Sequence, residues 1–252
     1  MPDDVPPSCP EKAAGRPAER RPIDAVLFDF HGTLAQVEDP VTWVMAAAEA
    51  CGVTLERVRA TALADRLVTV GRAGGPLPTR IPPHLAEVWA ERDLYPYAHR
   101  AAYTGLAATV DSGIEGLPDA LYDRLLRPEG WVLYTDTAAV LRALHDAGVP
   151  VAVVSNIGFD IRPLLDAWGL TDLVKAVVLS YEVGRCKPDP AIFLRACGLL
   201  GVDPERTLMV GDTPADAGAV QVGCAALVLP SAEPGRGNGL AAVLDLALPA
   251  ER

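Results

Sequence analysis

The chain has 252 residues, of which 50% are hydrophobic, and a formal net charge of −11 at pH 7. This length and this hydrophobic fraction are sufficient for a sizeable buried core. The negative charge argues against nucleic acid or an anionic membrane as the main partner, and any anionic substrate would need a local positive charge to attract it.

The chain begins with a segment unlike the rest. Residues 1–21 are rich in Pro, Ala, Glu and Arg, and this composition predicts a disordered segment that buries little apolar surface. The five cysteines of the whole chain are scattered and form no C-x-x-C pair, which indicates reduced thiols and a cytoplasmic protein. No apolar run approaches the roughly 18 residues of a membrane span.

From residue 22 onward the pattern predicts an α/β core. The apolar run Ala25–Phe28 is typical of a buried parallel strand. Later runs predict four more strands at 149–154, 174–179, 207–210 and 225–229, with helices between them at 161–168, 191–200 and 216–222. Strands that alternate with helices predict a Rossmann-like parallel sheet, whose ligands bind beyond the carboxyl ends of its strands.

Residues 38–131 interrupt this pattern, because they lack clear strand runs and are rich in helix formers. Helices are predicted over 40–51, 57–70, 83–110 (one or two helices) and 117–126. Thr54 is the expected N-cap residue of the second helix. We interpret 38–131 as a helical insertion into an α/β core that comprises residues 22–37 and 132–252.

Polar residues follow four of the predicted strands, and they are the candidate site residues: Asp29 after the first strand, Ser155 and Asn156 after the second, Lys187 beyond the third, and Asp212 and Asp216 after the fourth. An aspartate at this edge can attack phosphorus as a nucleophile. Three carboxylates near one point form an oxygen-rich site suited to Mg²⁺. A lysine and a hydroxyl can hold phosphate oxygens, so the set is typical of phosphoryl transfer.

Four ordered motifs carry a family resemblance over residues 23 to about 230. They are Asp29-x-x-Gly32-Thr33, then Ser155, then Gly184-x-x-Lys187-Pro188-Asp189, then Gly211-Asp212-x-x-x-Asp216. This set resembles the haloacid dehalogenase superfamily, in the subfamily whose helical cap is inserted after the first motif.

The resemblance implies a role for each of these residues. Asp29 would be the nucleophile, and Asp212 would be the main acidic partner of Mg²⁺, supported by Asp216. Ser155, Asn156 and Lys187 would bind phosphate, and Lys187 would also orient Asp29. His31 would give its backbone carbonyl to the metal, and the cap would close over the site and set substrate choice. The sequence pattern alone is also consistent with Asp216 serving only as the N-cap of a helix.

The chain departs from the family pattern at His31, where the family's phosphatases have an aspartate that serves as general acid and base. Three interpretations stay open. His31 does this work itself, since imidazole titrates near pH ~6.5. Alternatively, hydrolysis of the intermediate is slow, which would make the protein a phosphotransferase or a low-turnover binding protein. Finally, His31 is a spacer whose side chain points away.

In the predicted cap, His99 and Tyr103 are spaced i, i+4 on one helix face, with Arg92 and Arg100 nearby. They either contact the substrate or form a solvated face.

These observations predict Mg²⁺-dependent hydrolysis of a small phosphorylated metabolite through an aspartyl-phosphate. The alternative within the family is a 2-haloacid dehalogenase that forms an ester at Asp29. The pair Asp212 and Asp216 opposes this alternative, because that reaction needs no metal.

Overall fold

The computed structural model describes residues 23–248, so the segment predicted to be disordered, 1–21, lies outside the described residues. The strands are β1 (Ala25–Phe28), β2 (Ala35–Val37), β3 (Trp131–Leu133), β4 (Val151–Ser155), β5 (Ala176–Leu179), β6 (Thr207–Gly211) and β7 (Ala225–Val228). The α-helices are α1 (Pro40–Ala50), α2 (Arg57–Val70), α3 (Ala86–Glu91), α4 (Pro96–Ala108), α5 (Leu117–Leu125), α6 (Thr137–Asp146), α7 (Arg162–Ala167), α8 (Ser180–Val183), α9 (Pro190–Leu200), α10 (Pro214–Ala217) and α11 (Ala241–Ala247).

Five strands form one parallel sheet in the order β5-β4-β1-β6-β7. The central strand β1 is completely buried and pairs with β4 and β6, so that Phe28 lies beside Val153 on one side and Val210 on the other. This arrangement confirms the predicted Rossmann-like α/β fold. It also brings the carboxyl ends of β1, β4 and β6 to one edge of the sheet, where the candidate residues were expected.

A two-stranded antiparallel sheet, which the sequence did not predict, joins β2 to β3. Val37 pairs with Trp131 and Ala35 pairs with Leu133. The helices α1 to α5 all lie between these two strands in the chain. The segment that contains α1 to α5 therefore begins after β2 and ends before β3. Because these two strands are paired, the two ends of the segment lie side by side.

Two helix boundaries in this segment differ from the predictions. The prediction of Thr54 as N-cap is wrong, because Glu56 is the N-cap of α2 and has an extended backbone. The predicted region 83–110 divides into a 3₁₀ turn, α3 and α4. Pro96 is the first residue of α4, and Tyr95 before it is extended (φ −138°, ψ 128°), since a residue that precedes proline is disfavoured in the helical region.

The C-terminal part contains two further differences. The predicted helix at 216–222 is instead α10 followed by a 3₁₀ turn at Gly218–Val222, and α11 was not predicted. Within residues 23–248, no helix is both long enough and apolar enough to cross a membrane. The four cysteines of this part are free thiols.

Candidate active site

Asp29 and Lys187 form a buried ion pair at the end of β1. The backbone N–H of Asp29 donates to the carbonyl of Val210 at 2.8 Å, which holds Asp29 against β6. Lys187 Nζ donates to Asp29 Oδ1 at 2.6 Å, to Asp216 Oδ1 at 2.6 Å and to the Val154 carbonyl at 2.8 Å. These three acceptors use all three protons of the ammonium group.

The charges of this pair oppose the effect of burial. Burial raises the pKa of Asp29, although the Lys187 charge acts to lower it. Burial alone would lower the pKa of Lys187, but the charges of Asp29 and Asp216 outweigh it and raise that pKa. The raised pKa favours the cationic form of Lys187, which is hydrogen-bonded to Asp29.

Asn156 positions Lys187 through the main chain. Its Oδ1 accepts from the Lys187 N–H at 2.7 Å, and its Nδ2 donates to the Lys187 carbonyl at 2.9 Å. The amide thus makes one donated and one accepted bond to the Lys187 main chain, and its second Nδ2–H is left for another acceptor, so the expectation that Asn156 binds phosphate stays a prediction. Ser155 is buried and ends β4, the strand next to β1, in the place expected of a phosphate-binding hydroxyl.

Three carboxylates lie together at this edge of the sheet. Asp29, Asp212 and Asp216 each offer one oxygen, and these oxygens lie within 4.8 Å of one another. Asp212 Oδ1 is buried and has no hydrogen-bond partner. Burial, followed by the charges of Asp29 and Asp216, raises the pKa of Asp212 to about 7. A buried, unpartnered carboxylate oxygen beside two other acids fits a divalent cation with oxygen ligands.

Asp216 differs from Asp212 because both of its oxygens have partners. Oδ1 accepts from Lys187, and Oδ2 accepts from the Thr213 N–H at 3.0 Å and from Thr213 Oγ1 at 2.7 Å. Asp216 is the third residue of α10 and forms a capping box with Thr213, the N-cap residue. It thus stabilises the helix start, and it also lies in the acidic cluster.

Gly32 allows Asp212 to approach the turn after β1. Its φ of +80° is in the left-handed region, and a Cβ atom there would lie 2.2 Å from Asp212 Oδ2. Both observations require glycine at this position.

The sequence did not reveal Asn238, which holds the same turn from the C-terminal loop. Its Nδ2 donates to the carbonyls of Gly32 at 2.9 Å and Thr33 at 3.0 Å, and its Oδ1 accepts from Ala232 N–H at 2.9 Å. Asp136 in turn accepts from the Asn238 N–H at 3.0 Å. In the sequence, Asn238 lies in a glycine-rich stretch that looks like an ordinary loop, so no local signal marks it.

The His31 imidazole lies between the small sheet and the loop after α2. Its Nε2 is 2.5 Å from Gln36 Oε1, and its ring meets Trp131 edge-on with a centroid distance of 5.8 Å. Gly74 lies against the ring, because a Cβ atom there would be 2.9 Å from Nε2. Burial lowers the pKa of His31, although the charge of Asp29 acts to raise it. Burial therefore favours the neutral form of the imidazole, while the charge of Asp29 favours its protonated form. The ring is hydrogen-bonded to Gln36.

The other residues singled out in the predicted cap lie in different surroundings. His99 is buried, and its Nδ1 lies 2.8 Å from the Tyr122 hydroxyl, so the expectation of a solvated face is wrong for this residue. Burial lowers the pKa of His99 to about 3. Arg100 pairs with Asp119 and Asp123 at the surface. Arg92 stacks on the Trp89 ring with its Cζ 4.2 Å from the centroid.

Known proteins resemble this chain in sequence and in fold. A phosphoglycolate phosphatase of Rhodospirillum rubrum is 36% identical over 121 residues, which are 46% of this chain and 50% of that protein. An N-acetylmuramic acid 6-phosphate phosphatase of Pseudomonas aeruginosa is 36% identical over 81 residues, which are 31% of this chain and 35% of that protein. The chain therefore spans half or less of the length of these relatives.

The solved structures match over much more of the chain. A dehalogenase structure has a TM-score of 0.61 and 25% identity, covering 91% of this chain and 98% of its own. A phosphatase from Thermococcus onnurineus has a TM-score of 0.54 and 23% identity, covering 88% and 97%, and this likeness concerns the fold alone. The family model of haloacid dehalogenase-like hydrolases matches residues 23–222. Since this match includes every candidate site residue, we conclude that the chain belongs to the haloacid dehalogenase-like hydrolase family.

Proposed function

We propose that the protein hydrolyses a small phosphomonoester with the help of Mg²⁺ and through an aspartyl-phosphate at Asp29. The observation that carries this proposal is the unpartnered, buried Oδ1 of Asp212 beside Asp29 and Asp216. Such an oxygen costs free energy unless a ligand or a proton satisfies it. A bound cation would satisfy it, and a phosphomonoester hydrolase of this family requires one.

The residues that would hold Mg²⁺ are Asp29, Asp212 and Asp216, with Asp212 as the main acidic ligand and the His31 backbone carbonyl as the expected fourth. When bound, the cation would screen the nucleophile from the anionic phosphate and neutralise developing charge.

The chain's own residues would perform the covalent steps. An Asp29 carboxylate oxygen would attack phosphorus, and the bond from phosphorus to the alcohol oxygen would break. Lys187 holds Asp29 in place through a 2.6 Å hydrogen bond, and the Ser155 hydroxyl would bind a phosphate oxygen. The departing alkoxide needs a proton. His31 would give it from the imidazolium form, which burial disfavours and the charge of Asp29 favours. Water would then attack the phosphorus of the aspartyl-phosphate, releasing phosphate and restoring Asp29.

The names of the relatives support the phosphatase assignment, because the two curated relatives described above are both named as phosphatases. The similarity to a solved dehalogenase favours a second candidate. In that reaction Asp29 would attack carbon, displace halide and form an ester. The acidic cluster argues against it, since displacement of halide by a carboxylate does not call for a divalent cation.

One experiment separates the two candidates. Purified protein would be incubated with a panel of phosphomonoesters and with 2-haloacids, and release of phosphate and of halide would be measured with Mg²⁺ or with EDTA. We expect phosphate release that EDTA abolishes and Mg²⁺ restores, and no halide release. Halide release that is indifferent to EDTA would replace the proposal with the second candidate. Full phosphate release in EDTA would show that the phosphatase reaction does not require Mg²⁺.

A further inference from the structure

Among residues 23–248, the acidic cluster of the candidate site has no bonded cation that is free to attract a substrate. The acidic cluster contains Asp29, Asp212 and Asp216, and its one lysine, Lys187, already donates all three protons to protein acceptors. The whole chain has a net charge of −11. A substrate with more negative charge than a phosphomonoester would need a further cation near the site.

Arg72 is a cation of this kind. It follows α2 and is 6% exposed. Within residues 23–248 its guanidinium forms no hydrogen bond and no ion pair. Instead its Cζ lies 4.3 Å from the centroid of the Trp43 ring. Burial lowers the pKa of Arg72 to about 10, so it is still charged at neutral pH. None of the guanidinium nitrogens is both fully buried and unpartnered, so they meet solvent, which an anionic ligand would replace.

The neighbouring acids are already engaged. Glu38 accepts from Arg124 Nε at 2.7 Å and from Arg124 Nη2 at 2.9 Å. Asp39 caps α1 by accepting from the N–H groups of Val41 at 3.1 Å and Thr42 at 3.0 Å. The charges of Glu38 and Asp39 favour the cationic form of Arg72, but neither carboxylate is bonded to it. The five donor positions of the guanidinium are thus left for another acceptor.

Arg72 lines a cavity, and the loop that contains it contacts His31. The cavity is lined by Arg72 together with Trp43, Tyr103, Leu121, Tyr122 and Leu125. Two residues after Arg72, Gly74 is so close to His31 that a Cβ atom there would lie 2.9 Å from Nε2. The loop therefore meets the site on the side of His31, the candidate donor to the leaving oxygen.

We propose that Arg72 binds a second anionic group, a carboxylate or a second phosphate, on the leaving-group side of the substrate. This inference rests on the proposed phosphatase function and adds a substrate class to it. The planar guanidinium matches both anions, because two of its N–H groups can donate in parallel to two oxygens. The aromatic ring of Trp43 would fix the plane of the guanidinium for that purpose.

The test compares matched pairs of substrates that differ only in the second anion. The carboxylate pair is 3-phosphoglycerate and glycerol 3-phosphate, and the phosphate pair is glucose 1,6-bisphosphate and glucose 1-phosphate. The quantity measured is the ratio of kcat/KM within each pair. We expect the wild type to prefer the anionic member of at least one pair by about 10–100-fold, the usual value of a charged hydrogen bond. The pair that shows the preference identifies the anion.

Variants then assign the preference to Arg72. Arg72→Met keeps an unbranched side chain over Trp43 and removes the charge, so the ratio should fall close to one. Arg72→Lys should retain part of the preference. Arg66→Met is the matched control, because it removes an exposed positive charge from α2, the helix that precedes Arg72, and it should leave the ratio unchanged.

Several outcomes would overturn the proposal. If the wild type turns over both members of each pair equally, no second anion is recognised. If Arg72→Met lowers kcat/KM equally for both members, Arg72 only supports the fold. The ratio of kcat/KM is first measured on the wild type, so the proposal can be contradicted even if Arg72→Met fails to fold. If no phosphomonoester is hydrolysed at all, the proposed function itself has failed, which is a different result.

Discussion

Lys187 Nζ lies 2.6 Å from Asp29 Oδ1, and the ammonium group is the only cation bonded to the acidic cluster within residues 23–248. We expect Lys187→Met to lower kcat/KM by about 10²–10³-fold, since Asp29 would lose the donor that orients it.

The Lys187→Met variant should also lose about 3–5 kcal/mol of stability, because buried carboxylates would lie together without a counter-charge. Thermal unfolding with and without Mg²⁺ measures this loss, and the cation should restore part of it. Lys175→Met is the control, because Lys175 is an exposed lysine at the surface of the α/β domain. A Lys187→Met protein that matches this control in both rate and stability would contradict the assigned role.

Asn238 should matter for catalysis although it touches none of the three acids. Asn238→Ala removes the donors to the Gly32 and Thr33 carbonyls and should cost about 1–3 kcal/mol of stability. Because Gly32 contacts Asp212, the Mg²⁺ concentration for half-maximal activity should rise as well. Asn238→Asp keeps the acceptor for Ala232 but loses the donors, so it separates the two functions of the amide. If both variants have the wild-type Mg²⁺ requirement, Asn238 does not position the turn after β1.

The role of His31 depends on the leaving group. If the imidazole protonates the leaving oxygen, His31→Ala should slow the phosphorylation of Asp29 by an alkyl phosphate about 10²–10⁴-fold. The loss should be much smaller with p-nitrophenyl phosphate, whose phenolate leaves without a proton. Single-turnover rates are required, since hydrolysis of the intermediate could otherwise limit both substrates equally. His31→Asp should restore the rate. Equal losses on both substrates would show that His31 is not the acid, and no loss would show that it is the spacer.

His99 gives the protein a defined loss of stability in acid. Its pKa is about 3 in the folded protein and near ~6.5 in an unfolded chain. Below pH 6.5 the unfolded state binds more protons, so stability is complete above that pH and falls as the pH decreases toward 3. At pH 5 the loss from this group is about 2 kcal/mol.

Urea unfolding at pH 7 and pH 5 measures this effect. The difference between the two values should shrink by about that amount in His99→Gln, which can still hydrogen-bond Tyr122. It should be unchanged in His145→Gln, since His145 is exposed. A His99→Gln protein as acid-sensitive as the wild type would contradict the burial of a neutral imidazole.

The sequence predicted those features of the fold that depend on neighbouring residues. The apolar run Ala25–Phe28 was predicted with its observed bounds, because complete burial leaves no polar residue in it. The polar residues at strand ends followed from the geometry of parallel sheets, which brings successive strand ends together. Lys187 was therefore placed beside Asp29 although 158 residues separate them.

The features that the sequence did not predict depend on contacts between distant residues. The strands β2 and β3 are three residues each and stabilise one another across the whole helical segment. Asn238 meets Gly32 over 206 residues. Arg72 looks like any surface arginine in a Gly-rich loop, and only its burial beside Trp43 distinguishes it. The two bonds from Asn156 to the main chain of Lys187 span 31 residues, so they could not be predicted from neighbouring positions.

The nucleophilic role of Asp29 is tested most directly by the single-turnover rate of Asp29→Asn. This substitution keeps the size of the side chain and removes the attacking charge. We predict that phosphate release from an alkyl phosphate with saturating Mg²⁺ falls to background, while the unfolding transition shows that the protein is still folded. Wild-type release by this variant, with deamidation excluded by mass spectrometry, would contradict the account and place the nucleophile elsewhere.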